Sequence, residues 1–279
     1  IRLFRPDRNA KRMASSAAYL DMPAPSEELF IEMCVRCVKE NIDYLPPYEA
    51  SGASLYLRPV LFGINPQLGI HSAKDVMFAV MCSPVGTYSG AKSLTPGNAV
   101  ISRNYDRAAT YGSGCYKIGG NYAQSLHAYN LAHNTGYREL LFLDTATKTT
   151  IEEFGSSNFF AIKGNTYITP RSKSILPSIT NLSLRTVAAD MGLDVEIRPV
   201  RVEELAEMDE VNSCGTAVVI TPINCIDDKP ALECPDISRR YRIPSGENCG
   251  ATSRKLYEHI IGIQKGLEED IHDWCLFID

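Results

Sequence analysis

Apolar and polar residues along the chain switch between two periods. In Glu27-Glu28-Leu29-Phe30-Ile31-Glu32-Met33-Cys34-Val35-Arg36-Cys37-Val38 the apolar side chains recur at helical spacing. Ser26 stands ahead of them as an N-cap with two glutamates in the first turn, which predicts a helix over 26–41. A second helix is predicted over 8–20, behind an opening strand at 1–4. Alternation over 53–62 predicts a strand, and the nearly continuous apolar run over 75–84 predicts a buried one. Segment 86–96 (Gly-Thr-Tyr-Ser-Gly-Ala-Lys-Ser-Leu-Thr-Pro) is rich in turn-forming residues and reads as an interdomain linker.

Beyond it, strands are predicted at 98–104, 139–144, 158–162, 195–199 and 216–223, with a polar turn at 145–150. Helices are predicted at 122–135, at 179–191 after Pro177, at 202–208 and at 250–269. Strands outnumber the crossover helices that a doubly wound sheet requires. The predicted class is therefore α+β in two lobes: a small N-terminal domain over 1–85, the linker, and a large domain over 97–279. No internal repeat or low-complexity segment interrupts this order.

Composition narrows the function. The 279 residues are 44% hydrophobic and 22% charged, the balance of an ordinary globular protein. A net charge of −5, with basic residues dispersed, excludes a phosphate-tracking nucleic-acid binder. Nine cysteines form no framework, so free thiols in a reducing, cytoplasmic compartment are expected. Cys34 and Cys37 form a Cys-x-x-Cys, but in the body of an amphipathic helix, where core cysteines are expected rather than a redox pair. No apolar run is long enough to span a membrane. The chain opens at Ile1 without a methionine, so residues upstream, and any organellar signal among them, are expected to be missing. His71, His127, His133, His259 and His272 show no metal-ligand spacing, and no metal site is expected.

Candidate chemistry centres on Cys115-Tyr116-Lys117-Ile118-Gly119-Gly120-Asn121-Tyr122. A lysine beside two glycines and a phenol offers a reactive amine where backbone can approach a ligand closely. A lone Lys-x-Gly-Gly is, by itself, most often a solvated turn.

Other segments lift Lys117 out of that class. Leu3-Phe4-Arg5-Pro6 with Arg12-Met13, Ser54-Leu55-Tyr56-Leu57-Arg58-Pro59, the Lys117 run, Glu152-Glu153-Phe154-Gly155-Ser156-Ser157-Asn158, Leu176-Pro177 and Gly215-Thr216-Ala217 occur in order across nearly the whole chain. In this the sequence resembles the branched-chain amino-acid aminotransferases, pyridoxal-phosphate enzymes of fold type IV. The resemblance implies a small α/β lobe, here without its start, and a larger β-barrel-like C-terminal lobe with flanking helices. It implies pyridoxal 5'-phosphate as cofactor and a homodimer without nucleic-acid or membrane partners. The implied reaction moves the amino group of leucine, isoleucine or valine to 2-oxoglutarate.

Residue roles follow from the same resemblance. Lys117 would hold the cofactor as a Schiff base and then serve as general base. Tyr122 would donate to the cofactor's phenolic oxygen, and Glu153 would pair with its pyridine nitrogen. Glu152 beside it leaves the choice open until the Glu-x-Gly-x-x-Asn spacing selects Glu153. Arg12, Ser156, the amides of Ile179 and Thr180, and Thr216 would bind the cofactor, mostly at its phosphate. Tyr56, Arg58, Tyr88, Thr216 and Ala217 would line the substrate side, and Leu68-Gly69-Ile70 would reach a partner subunit's site. The sequence departs from the family pattern at Ser178, where glycine commonly follows the proline. It departs again at Val218 and Thr221, where some mammalian members carry a Cys-x-x-Cys. The alternatives are a D-amino-acid aminotransferase, an aminodeoxychorismate lyase, or an inactive truncated relative.

Overall fold

A computed structural model describes residues 1–48, 52–86 and 94–279. Most of the 86–96 segment read as a linker, including Tyr88, lies outside the described residues. The first part of the chain forms β1 (Arg2–Phe4), α1 (Pro6–Tyr19), α2 (Glu27–Glu40), β2 (Ser54–Gly63), β3 (Val76–Val85) and β4 (Gly97–Ser102). There follow α3 (Gly119–Asn134), β5 (Glu139–Leu143), β6 (Ile151–Phe154), β7 (Asn158–Lys163), β8 (Thr166–Pro170), α4 (Ile179–Asp190) and β9 (Asp194–Arg198). β10 (Glu210–Gly215), β11 (Val219–Asp228), β12 (Arg239–Arg242), α5 (Ala251–Lys265) and β13 (Cys275–Phe277) complete it. Two compact units result: Ile1–Lys92 with Ile263–Asp279, and Ser93–Gly262.

In the first unit, Ser26 caps α2 by accepting from the Leu29 N–H at 3.2 Å, as the sequence predicts. The buried row Phe30, Cys34 and Val38 faces inward, so the Cys-x-x-Cys sits in the helix body. β2 and β3 form a two-stranded antiparallel ribbon, in register from Ser54↔Val85 to Gly63↔Val76. The expectation of a buried strand at 75–84 is corrected here. Phe78 and Val80 pack toward α2, while Met77 and Met81 on the other face are 47% and 55% exposed. A strand with one neighbour and one covered face cannot bury both faces, however apolar it is. β1 pairs antiparallel with β13, with Arg2 opposite Phe277.

The second unit is built on a closed sheet. The order β10-β11-β4-β5-β6-β7 returns on itself because β7 also pairs with β10. This six-strand ring, extended by β8 and β9 from β7 and by β12 from β11, is the barrel that the resemblance implies. Closure removes the open edges of its strands, and Ile101, Leu141, Phe154, Phe159 and Ile223 fill its core at 0% exposure.

Three predicted boundaries move. The strand expected at 216–223 is the second arm of a hairpin: β10 ends at Gly215, β11 starts at Val219, and Thr216-Ala217-Val218 make the turn. Val219 takes φ 61°, the left-handed residue that closes a three-residue hairpin loop. The closing helix stops at Lys265 because Gly266, at φ 72°, supplies a C-terminal left-handed turn. α3 begins with Gly119 and Gly120 in its first turn, not after them.

Candidate active site

The lysine sits on a loop pinned from both sides. Asn121, buried in the first turn of α3, donates to Ser113 O and Tyr116 O at 2.8 Å each and accepts from Ser113 Oγ at 2.5 Å. The backbone just before Lys117 is thereby fixed to the helix just after it. Lys117 Nζ donates to Tyr122 Oη at 2.7 Å, and both side chains face solvent. A Cβ built on Gly119 or Gly120 meets nothing within 4 Å, so the space beside this amine is open to a ligand.

Arg107 joins that loop to the carboxylate. It is buried at 6% exposure and hydrogen-bonds Ser174 O and, at 3.5 Å, Gly114 O, while its Nη2 lies 2.9 Å from Glu153 Oε1. Gly114 is small for a reason: a Cβ there would come within 2.8 Å of Arg107 Nη2 and closer still to Ser174 O. Glu153 Oε2 accepts from Asn158 Nδ2 at 2.5 Å, and its Oε1 takes the Leu176 N–H at 3.3 Å. Burial pushes the Glu153 carboxyl up to about 7, against the pull of Arg107 and these donors.

Glu152 and Glu153 are consecutive on β6 and face opposite ways. Glu152 Oε1 accepts from Ser172 Oγ at 2.8 Å and from Ser174 Oγ, so it is spent on the loop after β8. Gly155 completes the selective spacing. A Cβ there would lie 3.1 Å from Tyr129 of α3, so glycine lets the lysine-bearing helix lie against the β6–β7 turn.

From Glu153 a buried polar chain leads to the start of α4. Asn158 Oδ1 accepts from Asn181 Nδ2 at 3.2 Å, and Asn181 in turn bonds Thr169 Oγ1 at 2.9 Å and Tyr167 Oη at 3.2 Å. Ser178 is the N-cap of α4, its Oγ accepting the Asn181 N–H at 3.2 Å. The departure from glycine therefore installs a cap. The N–H groups of Ile179 and Thr180, in the first turn, have no acceptor inside the helix and are suited to an anion.

The register places a second arm beside them. Asn158 on β7 stands opposite Glu153 of β6 and opposite Cys214 of β10. The Thr216-Ala217 turn, exposed, therefore leaves the barrel at the same end, where a Cβ on Gly215 would be 3.6 Å from the Ser157 Cβ. Ser156 is exposed, and the Ser157 Oγ is buried without a hydrogen-bond partner among the described residues.

The remaining candidates belong to the first unit. Arg12, half-buried on α1, donates to Asn9 Oδ1 at 3.2 Å. Tyr56 and Arg58 share one face of β2, the guanidinium 5.1 Å from the ring centre. Leu68 and Ile70 are wholly exposed, at 97% and 102%. Arg107, Asn121 and Asn181 carry much of the geometry, and sequence reading missed all three. Asn121 is the one with a local signal, since it lies inside the Lys-x-Gly-Gly-Asn-Tyr run.

An amine beside a phenol, a buried carboxylate and a capped helix start occupy one end of a closed barrel. The model of the family described as amino-transferase class IV matches residues 2–226. The chain belongs to the class IV aminotransferases. It is 42% identical to a branched-chain-amino-acid aminotransferase of Helicobacter pylori, over 98% of this chain and 77% of that protein. Its fold matches the crystal structure of an Escherichia coli branched-chain amino acid aminotransferase with a TM-score of 0.79. That match is at 28% identity and covers all of this chain and 85% of the other. The branched-chain amino acid aminotransferase from Thermobaculum terrenum, in its PLP-bound holo-form, shares the fold at a TM-score of 0.81 and 23% identity, over 100% and 84% of the two chains.

The cofactor of this class IV aminotransferase is pyridoxal 5'-phosphate, and the donor set fits it. An aldehyde calls for an amine, which Lys117 has; a pyridine nitrogen calls for a carboxyl group, which Glu153 has; and a phosphate calls for N–H groups unspent within a helix, which the start of α4 has. The orphaned Ser157 hydroxyl beside the hairpin turn is a further polar group without a partner among the described residues.

Proposed function

We propose that the protein transfers the amino group of leucine, isoleucine or valine to 2-oxoglutarate, giving the branched 2-oxo acid and L-glutamate. The observation that carries this is the Lys117–Tyr122 contact at 2.7 Å on a loop tied through Arg107 to buried Glu153. The kinship with branched-chain aminotransferases supplies the substrate class.

Bound here, pyridoxal 5'-phosphate supplies an aldehyde carbon for the substrate amine and a conjugated ring that takes up the electron pair released at Cα. Lys117 would hold that aldehyde through its amine, and its Nζ would move the proton from Cα. Tyr122 Oη accepts from Nζ and so steadies the lysine, and its own O–H would donate to the cofactor's phenolic oxygen. Glu153 keeps a proton on the ring nitrogen, and Arg107 and Asn158 hold Glu153 in place for it. Ile179 and Thr180 would offer backbone N–H groups to the phosphate, with Thr216 and Ser156 as further donors, and Arg12 is the first unit's candidate for the same group. In the second unit the Thr216 and Ala217 amides would take the substrate carboxylate, and Tyr56, Arg58 and, by sequence alone, Tyr88 are the first unit's candidates for contact with the substrate.

With these roles goes a division into a small lobe over 1–85 and a large cofactor-binding lobe from 97, its last residues, 263–279, belonging instead to the first unit. The assembly is a homodimer in which the exposed Leu68-Gly69-Ile70 loop reaches a second copy, and light scattering at the mass of one chain would refute it. Nine free thiols suit a reducing cytoplasm. Transamination kinetics test the function: turnover of L-leucine with 2-oxoglutarate is expected, dependent on added pyridoxal phosphate. Turnover of D-alanine without L-leucine overturns it.

A further inference from the structure

Two rows of side chains run together in the first unit. Phe30, Cys34 and Cys37 recur along α2 at helical spacing, and Phe78, Val80 and Cys82 occupy one face of β3. The Phe30 and Phe78 rings stack at 5.6 Å, and further along Cys37 Sγ donates to Val80 O at 3.6 Å. The next position on that face is Cys82, two residues beyond the carbonyl that Cys37 engages and near enough for its thiol to raise that of Cys37. From Phe30 to Cys37 the helix advances about 10 Å, and from Phe78 to Cys82 the strand advances about 13 Å. The two rows therefore stay level from the phenyl pair to the thiol pair.

We propose that Cys37 and Cys82 are a modification site, a reversible disulfide that ties α2 to β3 when the protein meets a peroxide. Both thiols are half-buried and can be reached, whereas Cys34, one turn away, is 2% exposed. The site lies against the substrate-side ribbon. Leu57 is the cross-strand partner of Cys82, and Tyr56 and Arg58 flank Leu57 on the opposite face of the strand. The link would fix that ribbon from behind. The inference rests on these contacts alone and stands whether or not Tyr56 and Arg58 bind substrate.

The chemistry balances with hydrogen peroxide as the oxidant. The Cys82 sulfur attacks one peroxide oxygen, the O–O bond breaks, and Cys82 becomes a sulfenic acid as water leaves with the thiol proton. The Cys37 sulfur then attacks the Cys82 sulfur, the S–O bond breaks, and the hydroxyl departs as water with the Cys37 proton. Peroxide is reduced to two waters while two thiols become one disulfide. Burial and the neighbouring Cys82 raise the Cys37 thiol to about 11, so formation speeds up with rising pH.

Non-reducing peptide mapping of peroxide-treated, folded protein tests the site. The expected result is a Cys37–Cys82 linked peptide pair that dithiothreitol separates and that Cys37→Ser and Cys82→Ser each abolish. Hydrogen exchange at the β2 and β3 amides should slow in the linked protein and return to its starting rate on reduction. Recovery of Cys37 and Cys82 as free thiols, as separately oxidised residues, or linked to other cysteines overturns the proposal, provided the circular dichroism of the treated protein is unchanged. Unaltered exchange in protein shown to carry the link overturns the claim that it fixes the ribbon.

Discussion

Glu139 enters the barrel without a cation in bonding reach among the described residues. Its Oε2 is buried with no partner there, and its Oε1 receives only a long 3.4 Å bond from Ser213. Burial pushes its carboxyl up to about 7, with Arg138 and Ser213 pulling weakly the other way. The native state then keeps a proton that the unfolded chain releases near 4.5. Stability therefore falls as pH rises through that window, and the loss is complete above about 7. Urea unfolding of wild type and Glu139→Gln from pH 4 to 8 should show a stability loss on the order of 3 kcal/mol in the wild type that the variant lacks. Parallel curves would remove Glu139 as the cause. Glu153 shifts in the same direction, yet it is present in both proteins and cancels in the difference. Among such residues, Lys117, Tyr122 and Glu153 were legible because their spacing is local. Arg107 was not, because what marks it is a set of partners at Gly114, Glu153 and Ser174 that only the folded chain assembles.

The start of α4 shows how one element serves both the fold and the site. Ser178 accepts the Asn181 N–H, and the same asparagine's side chain continues the buried chain through Asn158 to Glu153. Ser178→Ala should cost about 1 kcal/mol of unfolding free energy, and Ser178→Gly only a few tenths. The alanine variant should also bind pyridoxal phosphate more weakly, since the anion-facing first turn frays. Equal stability of both variants and wild type in denaturant titration would contradict the cap. Helices with such caps, α2 and α4, were readable to within a residue or two. The strands missed were β6, β8, β10, β12 and β13, all but β10 of five residues or fewer. β6 is Ile-Glu-Glu-Phe, whose two central carboxylates break any apolar alternation, and both are buried because the closed sheet gives each face its own partners. The hairpin at Thr216 was hidden for the converse reason. Its turn, Thr-Ala-Val, carries none of the glycine, proline or asparagine that usually announces one.

At the scale of the whole molecule, the closed barrel is what permits the chemistry. β6, β7 and β10 bring Glu153, Asn158 and the Thr216 turn to one end of the ring, although the turn lies more than fifty residues beyond the other two in sequence. The ring keeps the Glu153 carboxyl buried, while the lysine loop outside it stays open. Two lobes in an α+β arrangement were legible from the count and spacing of strands. Closure was legible only through the family resemblance, because it depends on the long-range β7–β10 pairing, which no local period encodes. Borohydride reduction of the pyridoxal-phosphate-loaded protein, followed by peptide mapping, tests the central claim most directly. A single pyridoxyl label on Lys117 is the result expected, lost in Lys117→Ala along with activity by a factor on the order of ten thousand. A label on another lysine, or an unlabelled Lys117 in fully loaded protein, would contradict the assignment.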